Sequence, residues 1–345
     1  MDKCLYTFNW INNYIMPIKT YKTLTALILF SIIVLSYLNL KFGPALYTFS
    51  EIMSAIIGVN YNSIAYLTII QTRLPIIILA MISGASLAIS GFLLQRATQN
   101  PLASPTLLGI EFSTACSVII AYLVFPSIPD LLIILIACLG AALNFFLMNL
   151  ILKRIGTNSL NITLSGVAFN ALYFSIIQGI ILAFTLQAEA IMYEVNGSLY
   201  GASFLNIKTI ILPFLLLISL AIGLSNRLDL LNFSDSEAKS MGINIASYRK
   251  LIITLAIFLT ALTTSITGPI LFFGLIVANM IGSIANNIAG IVLCAVSGAA
   301  LLLLAQLTTS VIAPLTPPPV GLVSILLSTP ILVYITKKYI KKHEF

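Results

Sequence analysis

Apolar runs of about 20 residues recur from residue 24 to residue 336, with only short polar breaks between them. One helical crossing of a bilayer takes roughly 20 apolar residues. No water reaches the hydrocarbon core, so only helices or closed β-barrels satisfy their own backbone groups there. A barrel needs apolar and polar residues in alternation, and these runs are continuously apolar. The composition agrees. The chain is 59% hydrophobic and 8% charged, where soluble domains carry about 25% charged residues. The fold class is therefore an all-α polytopic membrane protein, one bundle of about ten transmembrane helices. The expected spans are 24–40, 74–95, 106–125, 131–152, 160–186, 205–226, 249–267, 269–285, 288–313 and 320–336. No charge separates the seventh from the eighth. Pro269 sets that break, because it lacks the N–H a helix needs and crowds the preceding turn.

The basic residues give the chain a direction. Positive charge concentrates in cytoplasmic loops. With the N-terminus inside, only Lys41, Arg73 and Lys208 of the 17 Lys and Arg face outward. Both termini are then cytoplasmic. Residues 1–23 form a cytoplasmic or interfacial segment, 24–336 the membrane domain, and 337–345 a basic tail. The net charge of +7 does not point to nucleic acid, since the basic residues are dispersed between spans rather than gathered in a basic-aromatic patch. Cys4, Cys116, Cys138 and Cys294 lie far apart without CxxC spacing. No cofactor or metal is implied.

The one charged run in the middle of the chain is Asp229–Asn244, within a cytoplasmic loop over 229–247. Ser234 with Glu237 has the spacing of a capping box. Asp235 and Glu237 suit the positive end of a helix dipole and Lys239 the negative end. Gly242 suits the left-handed position after a helix. The pattern predicts a short helix over 235–241, with Asn244 capping the span that follows. The same pattern also fits a connector without a partner.

Two further features carry function. In the fifth span Thr163, Gly166, Asn170, Tyr173 and Gln178 fall within about 140° on a helical wheel. A polar face at membrane depth meets either another helix or a cavity. Glu111 is the one carboxylate that falls within a span, either solvated near the surface or facing a polar cavity. The small residues Gly84, Ala85, Ser86, Ala88, Ser90 and Gly91 favour close helix packing.

EAKSMGIN at Glu237–Asn244 resembles the "EEA.SLGV" loop of the iron-siderophore and vitamin B12 ABC importer permease family. RLP at Arg73–Pro75, GASLAISGFLLQ at Gly84–Gln95 and NPLASPTLLGI at Asn100–Ile110 are similar to that family's signature around its second span. NGSLYGAS at Asn196–Ser203, GPILFFGLIVAN at Gly268–Asn279 and PPVGLVSILLSTPILVYI at Pro318–Ile335 resemble three more of its motifs, in order. The resemblance implies a permease subunit in a bacterial cytoplasmic membrane, working as a permease dimer. ABC ATPase subunits bind below and a periplasmic or lipid-anchored substrate-binding protein docks outside. It implies that Ser234, Asp235, Glu237, Ala238, Lys239, Met241 and Gly242 form the ATPase-coupling loop. It also implies that the fifth span helps line the translocation path and that Arg73 faces the docked binding protein.

The chain departs from the family pattern at several charged positions. Ile76 replaces the second arginine of RLPR. Ala278-Asn279 replaces Pro-His, and Gly282 an arginine. Gln306 and Ser310 replace an acid–arginine pair, and Pro317 a glutamate. A second, related but different permease carrying those charges would explain the loss. The expected function is ferric-siderophore import by alternating access, with no chemistry of its own. The chain has no GxxxxGK[ST] phosphate loop, so energy comes from a partner. Haem or a corrinoid is the alternative cargo. An ion-coupled secondary transporter is the alternative from another class; it needs intramembrane acids, of which Glu111 is the one on offer.

Overall fold

The computed structural model describes residues 18–59, 61–125, 127–156, 158–185, 188–232, 244–282, 284–285 and 287–343. Among these residues every regular element is helical. In chain order they are α1 (Ile18–Lys41), α2 (Phe49–Ile57), α3 (Ile64–Thr98), α4 (Ile110–Val124), α5 (Asp130–Ile155), α6 (Ser159–Ala183), α7 (Ala188–Val195), α8 (Phe204–Ser225), α9 (Ile245–Thr267), α10 (Phe273–Gly282), α11 (Asn287–Ile312) and α12 (Val320–His343). Seven of them are long and apolar enough to cross a membrane; α4, α10 and Val320–Pro330 of α12 are shorter apolar helices.

Each expected span holds one of these helices, with differences in extent. The stretch 269–285 is not one continuous helix: an irregular segment leads into α10, whose ten residues cover about 15 Å at ~1.5 Å per residue. That is half of a roughly 30 Å hydrocarbon core. The stretch 106–125 likewise opens with turns and becomes helical only at Ile110. In the other direction, α3 begins ten residues before the expected start, at Ile64.

The early start of α3 has a local cause. Pro75 offers no N–H to the helix ladder, and its ring crowds the carbonyl four residues back. The helix widens to a π-helix over Leu67–Arg73, and the Leu74 N–H donates to the Ile69 carbonyl. The chain passes the proline without breaking.

α3 is the centre of the bundle. Its apolar window is 89% buried, against 11% for α6. It packs on α9, α10 and α11, and the small residues read from the sequence set how closely. A Cβ on Gly84 would lie 2.3 Å from the Gly298 carbonyl oxygen, and one on Gly91 would lie 2.2 Å from that of Gly274. Close packing is thus what Gly84 and Gly91 provide. Ser90 donates to the Ala256 carbonyl at 2.7 Å, which ties α3 to α9. Asn39 of α1 donates to the Leu303 carbonyl of α11 at 3.1 Å.

Candidate functional site

Two irregular segments meet inside the bundle. The first, residues 99–109, joins α3 to α4. The second, residues 268–272, joins α9 to α10. Backbone polar groups at such depth must find partners within the protein. Phe272, at φ +59°, donates its N–H to Thr106 Oγ1 at 3.0 Å. Thr106 Oγ1 donates in turn to Glu111 Oε1 at 3.1 Å. Four other side chains hold the first segment. Asn170 of α6 donates to the Thr106 carbonyl at 2.6 Å. Asn144 of α5 donates to the Leu108 carbonyl at 2.9 Å. Asn279 of α10 donates to the Pro101 carbonyl at 2.8 Å. Asn100 Oδ1 accepts from the Leu102 N–H at 2.9 Å.

Glu111 is fully buried in this junction rather than solvated near the surface. Its Oε2 has no hydrogen-bond partner, and neither do the buried amide oxygens of Asn144 and Asn170. Among the described residues, no three His, Cys, Asp or Glu side chains gather where they could hold a metal ion.

Of the polar residues expected to share a face of the fifth span, which lie on α6, Gly166 and Asn170 meet this junction. Gly166 packs directly on it: a Cβ there would stand 1.8 Å from the Leu107 carbonyl oxygen. Gly166 and Asn170 therefore both contact the 99–109 segment. Tyr173 lies parallel to Phe169, with ring centroids 6.1 Å apart. Gln178 is half-buried. Thr163 lines a pocket of about 70 Å³ with Asn100, Leu107 and Ile162. Drug-sized ligands occupy roughly 300–1,000 Å³, so this pocket cannot enclose a chelate. Leu160, Leu164, Val167 and Leu172 of α6 are exposed and apolar.

Arg73 is 7% exposed. Its guanidinium donates to the carbonyls of Leu40 at 2.5 Å and Ala45 at 2.6 Å and sits 4.9 Å from the centroid of the Tyr47 ring. It closes the end of α1 and holds the loop leading to α2.

Of the 229–247 loop, Ser234, Asp235, Glu237, Ala238, Lys239, Met241 and Gly242 lie outside the described residues. Its two ends are described. Leu228–Asn232 is a short 3-10 helix, with Leu228 and Leu231 buried. Asn244 caps α9 as expected, accepting from the Ser247 N–H at 3.2 Å. The Tyr248 hydroxyl donates to the Leu224 carbonyl at the end of α8.

One cluster escaped the sequence reading. Gln306 donates to the Tyr200 hydroxyl at 3.0 Å, and that hydroxyl lies 3.4 Å from Ser310 Oγ. The neutral residues standing where an acid–arginine pair was expected thus bond to the NGSLYGAS turn. Tyr200 inside an otherwise small-residue turn was the signal available.

The chain matches the model of the FecCD transport family over residues 29–338. The chain belongs to that family. Among curated relatives of this FecCD protein, it is 30% identical to the Fe(3+) dicitrate transport system permease protein FecD of Escherichia coli over 272 residues, 78% of this chain and 85% of that one. It is 28% identical to the Fe(3+)-citrate import system permease protein YfmE of Bacillus subtilis over 92% of this chain and 96% of that one. It is 30% identical to the protein named "Probable heme-iron transport system permease protein IsdF" of Staphylococcus aureus, over 93% and 97%. A solved metal-chelate type ABC transporter in an inward-facing conformation shares the fold, with TM-score 0.76 and 23% identity over 92% of this chain and 99% of that one. The family resemblance read from the motifs is borne out. Two of those motifs, Asn100–Ile110 and Gly268–Asn279, are the segments that meet at Thr106 and Phe272.

Proposed function

We propose that this FecCD-family chain is the permease subunit of an ABC importer that carries a ferric chelate across the bacterial cytoplasmic membrane. The relatives' names support iron as the cargo, through Fe(3+)-citrate and heme-iron. Ferric siderophore is the cargo class read from the motifs. Haem is the second reading, supported by the likeness to IsdF, 30% identical over 93% of this chain.

In this reading the helices make ten crossings, counting the three shorter apolar ones, with both termini cytoplasmic. The loop 229–247 seats in a cytoplasmic ATPase. A binding protein docks over the opposite end, near the loop that Arg73 holds. The path for the chelate runs between two permeases along α6, since the pocket beside Thr163 is too small to hold it. Thr163, Tyr173 and Gln178 are the path residues; Gly166 and Asn170 hold the wall behind them. The exposed side chains of Leu160, Leu164, Val167 and Leu172 also suit a second permease. The neutral positions Ile76, Gln306, Ser310 and Pro317 favour a partner permease of different sequence.

Purification with ATPase subunits tests the assembly. A related second permease should co-purify in equal amount. A complex active with this permease alone would refute the heterodimer.

A further inference from the structure

Three residues other than glycine have positive φ among the described residues: Gln99 at 53°, Phe272 at 59° and Asn287 at 51°. This region is unfavourable for residues bearing a Cβ, so each is held there by its surroundings. Phe272 belongs to the junction described above. The other two end α3 and begin α11, far apart in sequence, yet their side chains reach the same five residues. Gln99 Nε2 donates to the Leu231 carbonyl. Asn287 Nδ2 donates to Asp229 Oδ2 at 2.7 Å. Both targets lie in the 3-10 helix Leu228–Asn232 at the base of the 229–247 loop.

The two anchors share a support. Arg96, one turn before Gln99, donates to the carbonyls of Gly282 at 3.3 Å and Ala285 at 3.4 Å. The end of α3 is thereby fastened to the link between α10 and α11. Leu228 and Leu231 are buried beneath the loop base, which resists sliding. A push on the loop therefore reaches α3 and α11 through two short polar contacts and one apolar seat.

We propose that Gln99 and Asn287 form a two-amide latch that passes movement of the ATPase-bound loop to the ends of α3 and α11. They are positioning residues, acting through Leu231 and Asp229. The inference rests on the permease reading above. The decisive variants remove the amides without straining the backbone. Glycine adopts positive φ readily, so Gln99→Gly with Asn287→Gly keeps the turns. A second pair tests the contact itself. Asn287→Asp sets two carboxylates face to face, and adding Asp229→Asn restores a donor and an acceptor in exchanged places.

The experiment is hydrogen–deuterium exchange on the full complex with its ATPase, with and without ATP and vanadate, read at the ends of α3 and α11. In the wild type, nucleotide should alter exchange at both ends, and no change there also overturns the latch. Gln99→Gly/Asn287→Gly and Asn287→Asp should still bind the ATPase but cut that response by roughly fivefold or more, the low end of ordinary coupling between sites. Asp229→Asn should recover it in the Asn287→Asp background. An undiminished response in the glycine pair, or no recovery in the exchange, overturns the latch alone. If the wild-type chain binds no ATPase, the permease reading itself falls and the latch with it.

Discussion

Thr106 and Phe272 join the two broken parts of the bundle through a single hydroxyl, which accepts the Phe272 N–H at 3.0 Å and donates to Glu111 at 3.1 Å. Neither segment can satisfy its backbone by helix formation. The hydroxyl supplies one of their buried partners, and the amides of Asn144, Asn170 and Asn279 supply others. Thr106→Val keeps the shape and removes both bonds. It should destabilise the protein by about 1–3 kcal/mol, the cost of leaving a buried polar group unpaired. Thr106→Ser should stay near wild type. Thermal unfolding in detergent micelles separates the two.

α6 carries its own control. Gly166→Ala drives a methyl group to 1.8 Å from the Leu107 carbonyl, while Gly179 has nothing within 4 Å of an added Cβ. Gly166→Ala should cost at least the ~1–3 kcal/mol of an overpacked core. Gly179→Ala should be neutral or stabilising by up to about 1 kcal/mol, since alanine is the better helix former. Their melting temperatures should move apart. Equal shifts would mean that α6 does not press on the 99–109 segment.

Arg73 is tied to backbone carbonyls rather than to a free surface. Arg73→Ala leaves the Leu40 and Ala45 carbonyls without their donor. Hydrogen bonds to charged groups contribute about 1.5–3 kcal/mol each, so the loss should be at least of that order. It should also loosen residues 41–48. Cleavage by trypsin after Lys41 reports it: faster in Arg73→Ala, and intermediate in Arg73→Lys, which lacks the planar fork. Unchanged cleavage would show that the loop is held otherwise.

The helical class and the order of the elements were legible because continuous apolar runs leave no alternative in a bilayer. The interruptions were harder to read. Residues 269–285 are as apolar as any span, and only Gly268-Pro269 marks the irregular entry to α10. The helix α2 was missed, although Thr48-x-x-Glu51 is a capping-box spacing and the structure forms that box. It was passed over because nine residues are too few to register as a span. The polar residues of α6 were legible as one face of a helical wheel. What lies opposite it depends on residues 99–109, more than 50 positions away. The same non-local pairing hid Tyr200–Gln306 and the convergence of Gln99 and Asn287 on one turn.

The loop 229–247 yields a mutation that separates insertion from coupling. Gly242→Val forbids the left-handed turn expected after residues 235–241. The variant should reach the membrane in normal amount and bind its second permease. Transport driven by ATP should fall about tenfold or more, as a coupling defect of ~1.4 kcal/mol or above would give. Quantitative immunoblotting of membranes, paired with transport in proteoliposomes, measures both. A normal transport rate would make the loop a plain connector.

The most direct test is uptake of radioiron chelates by cells lacking this chain. Ferric citrate, ferric hydroxamate and catecholate siderophores, and radioiron haem should each be offered to the deletion strain, with and without the chain restored from a plasmid. Uptake of at least one should be lost on deletion and regained on restoration, but not when the partner ATPase is inactivated. Unchanged uptake of every chelate in the deletion strain would contradict iron import as the function.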